Sequence, residues 1–174
     1  MRDIVESIQA EYRRYKKLGE SAIQQLREEE LSVAGPGESN SIAVIVWHIS
    51  GNLKSRFTDF LTSDGEKAWR HRDEEFEERK VTLAALRQKW DEGWTVLFAA
   101  LDPLTDDDLK RTIVIRGESF SVHEALHRSV THTAYHVGQI VHVAKTIRGN
   151  DWKSLTIPRG KSQEFNANPK GQRA

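Results

Sequence analysis

Apolar residues recur at intervals of three and four in four separate runs of this chain, and that period dictates amphipathic helices before anything else is considered. The first run holds Ile4, Ile8, Tyr12, Tyr15, Leu18, Ala22, Ile23 and Leu26, which predicts a helix from residue 3 to about 30. Ala34-Gly-Pro-Gly37 breaks it. The second run carries Ile42, Ile45, Val46, Ile49, Leu53, Phe57 and Phe60, with Ser39 or Ser41 as its cap, and keeps the period to about Leu61. Leu83, Leu86, Trp90, Trp94, Leu97 and Leu101 line a third helix from about Thr82, and Pro103 stops it. The fourth opens on Ser121, with Glu124 completing a capping box, and reaches about Arg148 before Gly149-Asn150. Four long helices with short connections predict an all-α, up-and-down four-helix bundle over residues 1–155, followed by a tail at 156–174.

The segments between the helices carry weaker signals. Thr62 to about Lys80 is polar and includes Arg70-His-Arg-Asp-Glu-Glu75, which predicts a solvated connection with at most a turn of helix. Thr105 to Leu109 reads as one capped turn. Thr112 to Phe120 alternates around Arg116-Gly117, as a small hairpin or an irregular loop would. In the tail, Ile157 and Phe165 flank Arg159, Lys161, Ser162 and Gln163, so the expectation is that both apolar residues dock and leave the polar ones near the open end of the bundle.

Composition narrows the function classes. Lys plus Arg and Asp plus Glu each number 26, so the net charge is zero, and a dedicated nucleic-acid binder would show a basic excess. The chain has no Cys, which excludes a disulfide scaffold, a thiolate metal site and a cysteine nucleophile. Any thiol chemistry must therefore bring its thiol as a cosubstrate. No apolar run approaches ~18 residues and none opens the chain as a signal peptide, so the expectation is a cytoplasmic protein without a membrane span.

The histidines carry the chemistry. Of seven, five (His123, His127, His132, His136 and His142) fall on the fourth helix. His123-Glu-Ala-Leu-His127 matches the zinc-protease pattern HExxH, and His132-Thr-Ala-Tyr-His136 has the same i, i+4 spacing. Nine residues at ~100° each advance half a turn net, so the two pairs face opposite ways and cannot share an ion. Helical angle does not choose between them. Position does: His123 and Glu124 lie in the first turn, where Glu124 is already explained as a cap, whereas His132 and His136 lie mid-helix. His48, at the edge of the second helix's apolar stripe, is a candidate third ligand, and three neutral imidazoles from two helices leave a coordination position open. Their ring nitrogens should then stand within about 3.5 Å of one another. Asn52, one turn beyond His48, and Gln139, one turn beyond His136, are candidate supporting or substrate-orienting amides. Asp59 and the loop with Asp64 and Glu66 are candidates for a general base, and Arg159 for attracting an anionic group. His71 and His142 read as surface residues.

Trp47-His48-Ile49, followed late in the chain by His132-Thr-Ala-Tyr-His136-Val-Gly138-Gln139-Ile140, resembles the pattern of the DinB/YfiT-like superfamily. Gly51-Asn-Leu-Lys-Ser-Arg-Phe-Thr-Asp-Phe60, Asp64-Gly-Glu-Lys-Ala-Trp-Arg70 and Ile157-Pro-Arg-Gly-Lys-Ser-Gln-Glu-Phe165 resemble an uncharacterised branch of it, across nearly the whole chain. The resemblance implies a four-helix bundle of DinB/YfiT-like type. It also implies a divalent metal, zinc or nickel foremost, held by His48, His132 and His136, often in a homodimer. Better-understood relatives are transferases or isomerases that use a low-molecular-weight thiol, and others are hydrolases. The implied function is a metal-dependent transferase or hydrolase acting on a small molecule. The alternative is a non-catalytic metal-binding bundle, a stress-response or dimeric structural module. An open coordination position facing a cleft favours the first, and a closed site with a fourth protein ligand favours the second.

Overall fold

The computed structural model describes residues 2–168. Four long helices dominate: α1 (Asp3–Ile23), α2 (Ile42–Phe57), α3 (Leu83–Leu101) and α4 (Val122–Arg148). A two-stranded hairpin, β1 (Thr112–Ile115) and β2 (Glu118–Ser121), precedes α4, and a short α5 (Ser162–Ala167) follows it. No helix of the described residues is long and apolar enough to cross a membrane.

Side-chain caps open three of the helices, those of α2 and α4 as expected from sequence. Ser41 accepts from the Val44 amide, Thr82 from the Ala85 amide, and Ser121 with Glu124 makes a reciprocal box at the start of α4. Two ends differ from the periodicity. α1 stops at Ile23, not near residue 30, and a 3₁₀ turn spans Glu28–Glu30. Leu26 and Leu31 are both buried there. Five residues apart they would stand ~140° apart on one helix, so the chain must unwind for both to face the core. α2 stops at Phe57, four residues early, where the chain turns through Asp59 at φ 49° and Phe60 folds its ring against Phe57.

α2 packs chiefly on α3, and α1 on α4. Trp94, Tyr12, Leu53, Leu97, Leu126 and Ile140 are among the fully buried side chains that join the four helices in one core. At the α2–α3 crossing, a Cβ on Gly93 would come within 2.7 Å of the Ser50 Cα, so only glycine permits that approach.

Candidate metal centre

His48 lies on α2 and is 4% exposed, and His132 and His136 lie on α4, half-buried. Their Nε2 atoms converge. His48 Nε2 is 3.2 Å and His136 Nε2 3.1 Å from His132 Nε2, and the candidate ligand atoms of the three residues all lie within 4.8 Å of one another. An ion ~2.0–2.1 Å from each nitrogen in tetrahedral geometry would hold them about 3.3 Å apart. No fourth His or carboxylate joins the cluster among the described residues.

The rings are oriented from behind. Glu75 Oε2 stands 2.9 Å from His48 Nδ1, and Gln139 Oε1 stands 2.7 Å from His136 Nδ1. Both oxygens are acceptors, so each imidazole carries its proton on Nδ1 and turns the Nε2 lone pair to the centre. Two lone pairs thus face His132 Nε2, which can donate to only one of them. A cation at the centre would satisfy all three nitrogens, so the donor set fits a divalent ion of the zinc or nickel type.

Glu75 is itself fixed. Arg70 donates from Nε to Oε1 at 2.8 Å and from Nη2 to Oε2 at 2.9 Å, with both side chains buried. The resulting line, Arg70 to Glu75 to His48, sets both the tautomer and the angle of the ligand ring. Burial pushes the Glu75 carboxyl up, but the hydrogen bonds from His48 and Arg70 and the charge of Arg70 outweigh it, and its pKa lies below the ordinary value. Burial lowers the His132 pKa to about 3, helped by His136, His48, Arg70 and Arg56. Burial lowers that of His136 as well, against the hydrogen bond to Gln139. Both rings are neutral near pH 7, the form in which imidazole binds metal.

The segment expected to be a solvated connection is therefore part of the centre. Glu75 sits on a 3₁₀ turn, Asp73–Phe76, and Phe76 packs its ring 4.7 Å from that of His48. Arg70 and Glu75 are buried because each completes the other's charge and His48 takes the remaining lone pair. Nothing in the charge run marks them apart from their exposed neighbours. One indirect signal exists on α2: Gly51 interrupts a helix interior, and a Cβ there would lie 2.0 Å from Glu75 Oε1.

A cavity of about 400 Å³ opens on the cluster. Its lining includes Asn52, Gln139, Phe76 and Tyr135 together with the three histidines. Of the other sequence candidates, Asp59 lies on a surface groove with Phe60 and Val96, and Arg159 is exposed; neither lines this cavity. Phe165 is half-buried, but Ile157 is 38% exposed, so only one of the two expected tail anchors turns inward. Asp64 spends both oxygens on backbone amides of Glu66, Arg116 and Gly117, and Glu66 pairs with Arg56 and Arg116, so both carboxylates organise the loop and the hairpin tip. Of the two alternatives for residues 112–120, the hairpin forms, turning through Arg116 at φ 55° and Gly117 at φ 76° as a two-residue turn with matched twist. His123 and His127 lie 4.2 Å apart between ring centroids on the exposed side of α4, apart from the cluster, and His71 and His142 are exposed.

The fold and the cluster define a predominantly helical protein with a three-histidine site able to hold a metal ion. The family described as "Protein of unknown function (DUF1572)" matches residues 1–161, and the chain belongs to it. No curated protein and no solved structure matches the chain.

Proposed function

We propose that this chain is a divalent-metal-dependent enzyme, with His48, His132 and His136 as the metal ligands and the adjoining cavity as the substrate site. The observation that carries this reading is the convergence of three Nε2 atoms, two of them with tautomers fixed by Glu75 and Gln139, beside a cavity and without a fourth protein ligand among the described residues. An ion bound there supplies Lewis-acid polarisation and acidifies a water or an external thiol. Glu75, backed by Arg70, holds the His48 ring in register, and Gln139 does the same for His136. Asn52 presents an amide to the cavity for orienting substrate. The same three positions carry the resemblance to the DinB/YfiT-like superfamily, and the absence of cysteine fits a thiol brought as cosubstrate. The reaction class we favour is transfer to a low-molecular-weight thiol, with hydrolysis as its competitor at the same centre.

The test is a screen of zinc- and nickel-reconstituted protein in two arms. One supplies a small thiol with a generic electrophile, and the other supplies esters and amides. Turnover in either arm that disappears in His132→Ala supports an enzyme, and the arm identifies the reaction. One ion bound per chain without turnover in either arm would favour the non-catalytic metal-binding reading.

A further inference from the structure

Five of the residues lining the cavity are arginines (Arg56, Arg70, Arg72, Arg116 and Arg128), and among the described residues no Asp or Glu lines it. In a chain of zero net charge this is a local concentration of one sign. The carboxylates that pair with these arginines do not line the cavity, and they fall short in number. Arg56 and Arg116 share Glu66. Arg70 is paired with Glu75. Among the described residues Arg72 has only Asp73, 3.7 Å away and fully exposed. Arg128 has no carboxylate partner among the described residues, and its guanidinium lies over the Phe120 ring at 5.5 Å. Five cations therefore meet three carboxylates, which leaves two positive charges at the cavity.

Arg70 adds a second, independent observation. Its Nε and Nη2 are committed to Glu75, but its Nη1 is buried with no hydrogen-bond partner among the described residues. A buried guanidinium N–H left unpaired is costly, and it calls for a partner such as an ion or a water. Arg116 reaches the cavity from a left-handed backbone position that a non-glycine residue adopts only at some cost.

We propose that the cavity binds a small substrate or cosubstrate through a carboxylate or phosphate group held by Arg70, Arg72 and Arg128 beside the histidine cluster; this rests on the cavity being the substrate side of the metal centre. A guanidinium offers a planar pair of donors that matches two oxygens of such a group. Arg70 is the fixed member, held by Glu75. Arg72 and Arg128 are exposed at the rim and close on the anion. The volume of about 400 Å³ suits a small metabolite, and Phe76, Ile115 and Tyr135 supply apolar surface for the rest of it.

Equilibrium dialysis of the full chain, metal-free and zinc-loaded, against labelled inorganic phosphate and labelled succinate at fixed ionic strength tests this. Uncharged succinamide is the control. The expected result is binding of at least one anion, weakened about tenfold or more in the Arg72→Ala/Arg128→Ala double variant in both metal states, with metal stoichiometry unchanged. The anion retained distinguishes phosphate from carboxylate. Equal binding by the double variant, or succinamide binding as well as succinate with no phosphate bound, would overturn the proposal. Arginine-dependent anion binding in a protein that takes up no metal would sink the metal reading and leave this one standing. One ion per chain without arginine-dependent anion binding would do the reverse.

Discussion

Replacing Gly51 by alanine sets two physical effects against each other. Within a helix the substitution alone gains about 1 kcal/mol, because glycine loses more backbone entropy on folding. Here the new Cβ would lie 2.0 Å from Glu75 Oε1 and 2.7 Å from its Cδ. Ordinary carbon–oxygen contacts stand about 3.3 Å or more apart, so the carboxylate must retreat by more than ~1 Å. It has no slack, since it is held at 2.8 and 2.9 Å by Arg70 and at 2.9 Å by His48. A retreat of that size takes the His48 contact out of hydrogen-bond range and frees the ring's tautomer. Loss of such a supporting contact weakens metal affinity about 10–100-fold. Disrupting the buried Arg70–Glu75 pair costs about 3–5 kcal/mol, which leaves a net destabilisation of about 2–4 kcal/mol after the helical gain. Chelator competition for zinc measures the first effect, and urea unfolding of the metal-free protein the second. A Gly51→Ala protein that is more stable than the parent and binds zinc equally well would refute the placement of Glu75 behind His48.

His132→Ala is expected to abolish stoichiometric metal binding and His123→Ala to leave it unchanged, by metal analysis after dialysis; the opposite result would put the site on the other face of α4. Glu75→Gln keeps the size but not the charge, so zinc affinity should fall about 10–100-fold while His123→Ala controls remain at the parental value. In the metal-free protein, the His132 pKa of about 3 lies far below the ordinary ~6.5 of an unfolded chain, so the unfolded state takes up its proton first. Stability should therefore hold above ~6.5 and fall as pH drops from there towards 3, and His132→Leu should make that fall shallower in urea midpoints. An unchanged slope would mean that the buried ring is not what resists protonation.

The parts of this protein that obey a period were legible in its sequence. The four helices and the Ser41 and Ser121 caps follow from apolar spacing and cap chemistry. Three ring nitrogens on two helices followed from an i, i+4 pair and one histidine beside an apolar stripe. The support for those rings was not legible. Arg70 and Glu75 sit in a charge run whose exposed and buried members look alike, because burial there is decided by pairing across the fold and not by hydrophobicity. The early end of α1 was hidden for a related reason: Leu26 continues the helical stripe in sequence, yet reaches the core only after the helix has unwound. The arginine wall is assembled from α2, the 70–72 segment, the hairpin tip and α4, and no local pattern announces residues that meet only in the fold.

X-ray absorption at the zinc edge of the reconstituted full chain reads the ligand shell of the ion, with the His48→Ala/His132→Ala/His136→Ala variant beside it. A three-histidine centre predicts one ion per chain, three imidazole nitrogens at about 2.0–2.1 Å with one or more non-protein light atoms completing the shell, and no specific binding by the triple variant. A parental protein that holds no more zinc than the triple variant, or a shell closed by a fourth protein side chain, would contradict it.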